Sequence, residues 1–101
     1  MLLYNETIGI DKGVELQFIS WIKSFYIPTV MKTELFVDYK LYKVLTHDDE
    51  SSTSYSLQFF SNSIEQVLEF INNNSPKLVE EQQLHFKDNH ITFRTLLEEV
   101  H

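Results

Sequence analysis

The stretch 14–31 constrains the fold more than any other, because Val14, Phe18, Trp21, Ile22 and Phe25 recur at helical spacing and form one broad apolar stripe. A helix with so heavy a stripe must bury it against a second layer. The flanking segments change to a period of two, which makes that layer a sheet. Residues 2–10 place Leu2, Tyr4, Ile8 and Ile10 on one side and Leu3, Asn5, Thr7 and Gly9 on the other, with Glu6 interrupting the apolar side. Asp11 offers an N-cap oxygen, and the helix is predicted over 12–33 with Pro28 bending its later turns.

The period returns to two over 35–45, with Leu35, Val37, Tyr39 and Leu41 on one face and Phe36, Asp38, Lys40, Tyr42 and Val44 on the other. A polar, acidic tip at 47–52 leads into a strand in which Tyr55, Leu57 and Phe59 alternate with Ser54, Ser56, Gln58 and Phe60, so the pair reads as a hairpin. Ser63 and Gln66 have capping-box spacing ahead of Ile64, Val67, Leu68 and Ile71. The asparagines at 72–74 are expected to stop that helix, and Ser75 with Pro76 to start a second piece carrying Leu78, Val79, Gln82 and Phe86. In the last strand Ile91, Phe93, Thr95 and Leu97 alternate with His90, Thr92, Arg94 and Leu96.

The order strand, helix, strand, strand, helix, strand predicts an α+β, ferredoxin-like βαββαβ domain over 1–101, with strand order 4-1-3-2 and both helical regions on one face of an antiparallel sheet. The row of Tyr4, Ile8, Val37, Tyr39, Tyr55, Leu57, Ile91 and Phe93 is expected beneath the helices. The other row mixes Phe36, Tyr42, Val44, Phe60 and Leu96 with Asn5, Thr7, Asp38, Lys40, Gln58, Thr92 and Arg94. It is too apolar for plain solvent and too polar for a core, so a partner surface fits it. A homodimer packed sheet to sheet is expected, with Phe36, Asp38, Tyr42, Gln58, Phe60, Arg94 and Leu96 in the interface and Arg94 pairing with Asp38.

A formal charge of −7 opposes a phosphate backbone, so a nucleic-acid partner is not expected. With no cysteine there is no disulfide or thiolate chemistry. The absence of a signal-peptide pattern points to the cytoplasm, and no apolar run reaches the ~20 residues of a membrane span. The serines at 51–56 lack a strand–turn–helix elbow, and Gly9 and Gly13 cannot form a phosphate-cradling loop. No cofactor motif is present.

The chain resembles a family of small, mostly bacterial proteins, domain-of-unknown-function family 4286, whose fold is of the dimeric α+β-barrel type. The likeness spans nearly the whole chain. It rests on Leu3-Tyr4-Asn5, on Trp21 followed by Ile27-Pro28, on Phe36, on Tyr55 with Gln58-Phe59, and on Phe93-Arg94-Thr95-Leu96-Leu97-Glu98. Three positions depart from the family pattern: Tyr26 replaces a His, Glu34 a Gly, and Glu6 an apolar residue. A phenol near pKa 10 is mostly un-ionised at pH 7, so a ligand or proton-transfer role of that His does not carry over. The resemblance implies no established activity. Look-alikes of the same shape include cofactor-independent oxygenases and haem-degrading enzymes, an analogy of fold that makes a small oxygenase-like enzyme the alternative to a homodimeric binding module.

Glu6 is the oddest residue. Under strict alternation its carboxylate points into the interior, where burial would raise its pKa as a general acid or base requires; a bulge would turn it outward, and a tyrosine hydroxyl could hold it neutral. Trp21, Tyr26, Tyr39 and Tyr55 could surround a small apolar ligand between helix and sheet together with Glu6, or could simply fill the core. Of His47, His85, His90 and His101, none has a partner at zinc-ligand spacing on a helix. His47 beside Asp48, Asp49 and Glu50 reads as a wet turn before it reads as a metal site.

Overall fold

The computed structural model describes residues 1–46 and 49–101, so the tip reading that involves His47 and Asp48 lies outside the described residues. Strands β1 (Leu2–Asp11), β2 (Asp38–Lys43), β3 (Ser52–Ser61) and β4 (His90–Glu98) form one antiparallel sheet in the order β2-β3-β1-β4, the ferredoxin-like order seen from the other edge. The first helical region comprises α1 (Glu15–Trp21), a π turn (Ile22–Tyr26) and α2 (Ile27–Lys32). The second comprises α3 (Ile64–Glu69), a π turn (Phe70–Asn74) and α4 (Ser75–Phe86).

Pro28 and Pro76 each stand two residues beyond a π turn. A proline has no N–H for the fourth preceding carbonyl and its ring collides with that carbonyl; an extra residue in the turn relieves the collision and lets the helix continue. The second helical region is therefore continuous, and the expected break at 72–74 is corrected to a widened turn. Ser63 does cap α3, its hydroxyl accepting from the Gln66 amide. Ser75 is no cap: it lies inside the helical run and is buried.

The extra residue also rephases the first stripe. Phe18 and Ile22 are buried as expected, but beyond them the buried positions become Tyr26, Ile27 and Val30, while Phe25 turns outward. In the second region Val67, Phe70, Leu78, Gln82 and Phe86 are buried and Ile64 and Leu68 are exposed. These side chains close over Tyr4, Ile8, Ile10, Leu57 and Phe59 of the sheet, each large apolar residue contributing roughly 1.5–3 kcal/mol by burial.

Two strand assignments need correction. β2 starts only at Asp38, so Phe36 is free of its alternation and enters the core, its ring 5.1 Å from Phe70 and 5.4 Å from Phe59. Val37, also ahead of β2, is exposed, and Tyr39 is exposed at the sheet edge although it shares Phe59's face. β4 is turned over relative to the expectation. Tyr4 is opposite Leu96, Glu6 opposite Arg94 and Ile8 opposite Thr92, so His90, Thr92, Arg94 and Leu96 face the helices while Ile91, Phe93, Thr95 and Leu97 face away. Arg94 thus meets Glu6, not Asp38. The physical reason is polar pairing: the helix-side row finds partners in Glu6 and in Gln82, whose amide reaches Thr92 Oγ1 at 3.2 Å and His90 Nδ1 at 3.4 Å.

Glu34 ends the first helical region with φ 62°, its amide donating to the Met31 carbonyl. A Cβ in this left-handed position costs about 1 kcal/mol. Glu34→Gly is expected to stabilise the protein by about 0.5–1 kcal/mol, net of the greater freedom that glycine has in the unfolded chain, as read by urea denaturation.

Candidate functional site

Alternation in β1 holds, and Glu6 is fully buried beneath the helices. Tyr26, the last residue of the first π turn, donates its hydroxyl hydrogen to Glu6 Oε1. Oε2 has no hydrogen-bond partner, and Arg94 Nε stands 3.9 Å from it. Burial pushes the Glu6 carboxyl above the usual carboxylate range, with the Tyr26 hydrogen bond and the Arg94 charge pulling the other way. Tyr26 is raised well above 10 by burial, and then by the Glu6 charge. Tyr4 is raised by burial and by Glu6, and the Ser75 hydroxyl and Arg94 guanidinium lie against its oxygen. The cluster can hold a proton on a carboxyl at a pH where an exposed one has lost it.

Arg94 is one-third exposed (33%), and it emerges into a groove of about 290 Å³ between β4 and the second helical region. Ile71, Val79 and Leu96 line the groove with Tyr4, Ser75 and Thr95. Sequence reasoning missed it because β4 was placed the other way up; the signal available was Arg94 two residues from His90–Thr92 polar alternation, opposite a strand carrying Glu6.

The expected aromatic pocket is not assembled as one cavity. Trp21 packs at a tilt beside Tyr26, with centroids 5.5 Å apart, and edge-on to Phe86 at 5.7 Å, and its outer side lines a groove between the two helical regions. Tyr39 is at the far edge of the sheet. Tyr55 donates to Glu15 Oε2, whose other oxygen accepts from Thr53 at 3.2 Å, and burial with that pairing pushes the phenol up to about 12. In an alkaline titration followed by phenolate absorbance, Tyr26 and Tyr55 are expected to remain protonated at about pH 10.5, where a free tyrosine is mostly ionised. His90 is lowered by burial and by Arg94, its Nε2 buried without a partner. His85 pairs with Glu81 at 3.8 Å. Among the described residues no group of three His, Cys, Asp or Glu is placed to hold a metal ion, and no helix is long and apolar enough to cross a membrane.

The sheet's open face has a hydrogen-bonded polar centre. Gln58 donates to Ser56 Oγ (3.2 Å), Ser56 to Asn5 Oδ1 (2.7 Å), and Asn5 to Thr7 Oγ1 (3.0 Å). Ile91 and Phe93 flank it on β4 with 65% and 67% of their surface exposed, joined by Leu97. On the other flank lie Asp38, Lys40 and Tyr42, with Lys40 Nζ 5.9 Å from the Phe60 ring centre. Of the expected interface residues, Asp38, Tyr42, Gln58 and Phe60 share this face; Phe36, Arg94 and Leu96 do not.

One sheet, two helical crossovers on one face and a bare opposite face define the ferredoxin-like class of α+β proteins. The chain belongs to the family described as "Domain of unknown function (DUF4286)", which matches residues 1–100. Among solved structures it is similar to HapK from Hahella chejuensis, with TM-score 0.70 and 12% identity over 99% of this chain and 93% of HapK. An EthD-family protein from Bacillus halodurans gives TM-score 0.67 at 11% identity, covering 99% of this chain and 100% of that one. A dimeric ferredoxin-like protein from an uncultured marine organism gives 0.67 at 15%, covering 100% and 96%. At these identities the likeness is one of fold alone. Among curated proteins the sequence has no match.

Proposed function

We propose that the protein is a homodimeric ferredoxin-like binding module whose two copies meet sheet to sheet across the open face. The observation that carries this reading is the orientation of β4, which turns Ile91, Phe93 and Leu97 away from its own core and His90, Thr92 and Arg94 towards it. A strand so arranged leaves its most apolar row for something outside the chain to cover. A second copy supplies that cover with closed two-fold symmetry, and the Asp38–Lys40 flank then has an opposite charge available from its twin. The dimeric ferredoxin-like protein of similar fold supports the same choice. Sedimentation velocity at micromolar concentration is expected to return twice the chain mass; a single chain mass there overturns the reading.

A second reading, a small enzyme acting on an apolar or aromatic ligand between helix and sheet, has Glu6 in its favour, since a buried carboxyl held by a tyrosine is a group that acid–base chemistry uses. Native mass spectra of the protein as purified that show a retained small molecule support it, and a Glu6→Gln variant that keeps full turnover of that molecule ends it.

A further inference from the structure

We infer that the groove beside Arg94 binds a small monocarboxylate with an apolar body, its carboxylate on the Arg94 guanidinium and its body along Ile71, Val79 and Leu96. Among the described residues Arg94 is the one charged residue lining this groove, and the carboxylate oxygen beside it, Glu6 Oε2, stands at 3.9 Å, beyond hydrogen-bond distance. A guanidinium is a planar fork suited to a carboxylate's two oxygens. The buried Ser75 and Tyr4 hydroxyls lie together beside it, so donors for such a head group converge at one end of the groove. The rest of the wall is mainly hydrocarbon. At about 290 Å³ the space suits a ligand of a dozen or so heavy atoms, at the small end of known pockets. A single guanidinium with a carboxyl behind it, in a chain of net charge −7, favours a monoanion over a phosphate or a dicarboxylate.

Glu6 ties this binding to protons. Its Oε2 is completely buried and unpartnered, so ionised Glu6 would compete with the ligand for one guanidinium, whereas protonated Glu6 leaves Arg94 to the ligand. The titratable groups around Glu6 are Tyr4 on its own strand, Tyr26 from the first helical region and Arg94 from β4; β3 presents Leu57, and the second helical region presents Ser75. His90, on the same side of β4, interacts with Arg94. Ligand binding is therefore accompanied by uptake of a proton from solvent onto Glu6 wherever Glu6 is ionised beforehand.

The test uses hexanoate and its neutral counterpart hexanamide, titrated into the full chain and followed by calorimetry and by methyl NMR. Hexanoate at millimolar concentration is expected to shift the methyls of Ile71, Val79 and Leu96, and hexanamide to bind at least about tenfold more weakly. Above about pH 6 hexanoate stays ionised, and over whatever part of that range Glu6 loses its proton the affinity is expected to fall in the wild type and to stay level in Glu6→Gln. Arg94→Lys should bind about tenfold more weakly, and Val79→Trp, which fills the groove and leaves Glu6 and Arg94 in place, should not bind. Equal affinity for acid and amide, shifts mapped elsewhere, undiminished binding by Val79→Trp, or no binding by hexanoate up to about 10 mM each overturns the inference.

Discussion

Phe93→Asp is expected to turn the proposed dimer into monomers without unfolding the chain. In one copy Phe93 is 67% exposed on the open face, so a carboxylate there meets water and changes the stability of the isolated fold by no more than about 0.5 kcal/mol. In a two-fold assembly every substitution occurs twice. Two carboxylates would be buried in the proposed interface, at a cost of several kcal/mol, and the dissociation constant is expected to rise at least about a hundredfold. Sedimentation velocity over a dilution series reads this directly, with circular dichroism to show that the secondary structure is retained. Leu84→Asp is the matched control: Leu84 is also exposed, at 73%, but it lies on α4, on the helix side of the sheet, and the assembly should be unchanged. A Phe93→Asp protein that stays dimeric, or a Leu84→Asp protein that dissociates, would move the interface off the open face.

The second large effect concerns the buried carboxyl. Tyr26→Phe removes the donor to Glu6 Oε1 while Oε2 already lacks a partner, so an ionised Glu6 is left with no hydrogen bond at all. The expected loss is about 2–3 kcal/mol where Glu6 is ionised and clearly less where it is protonated, so it grows as pH rises, by urea denaturation. The sign follows from the direction of the shift. Because the folded-state pKa of Glu6 is raised, its contribution is fully present below the unfolded value near 4.5 and is lost as pH rises through the folded value. Glu6→Gln removes that dependence, so the variant should gain on the wild type between pH 5 and pH 8. His90 works in the opposite sense: its pKa is lowered, so its contribution is present above about 6.5 and is lost as pH falls. Comparing each variant with the wild type at the same pH separates the two. A Glu6→Gln protein with the same pH profile as the wild type would show that Glu6 does not titrate in this range.

The fold was largely legible because it rests on coarse periodicity: strands of period two, two apolar helical stripes, and the capping serine at Ser63. Three things were not. The first π turn shifts the first stripe by a residue, exchanging Phe25 for Tyr26, since a helical template has no place for an extra residue; Pro28 is the available signal. Phe36 was assigned by alternation to a strand that begins two residues later. β4 was oriented by hydrophobicity, a rule that fails when a core contains a charge needing company. Glu6 had been noted as interior, and one strand away Arg94 was the natural partner. The site repeats this lesson. Glu6 and Tyr26 are hydrogen-bonded to each other, and Glu34 stands in the left-handed conformation that glycine adopts most easily.

The matched π turns bear on how the chain tolerates changes in length. Deleting one residue between Ile22 and Tyr26 would wind everything downstream back by about 100°, presenting a different side of α2 to α4, whose Lys77, Leu78 and Glu81, with Asn74 just ahead of them, share a groove with Phe25, Thr29 and Thr33. Shortening one helix alone therefore rotates its second half against a neighbour still in the original phase. Because Tyr26, Ile27 and Val30 are buried against the sheet, the same rotation carries them off it, and the proline that follows loses the widened turn that accommodates its ring.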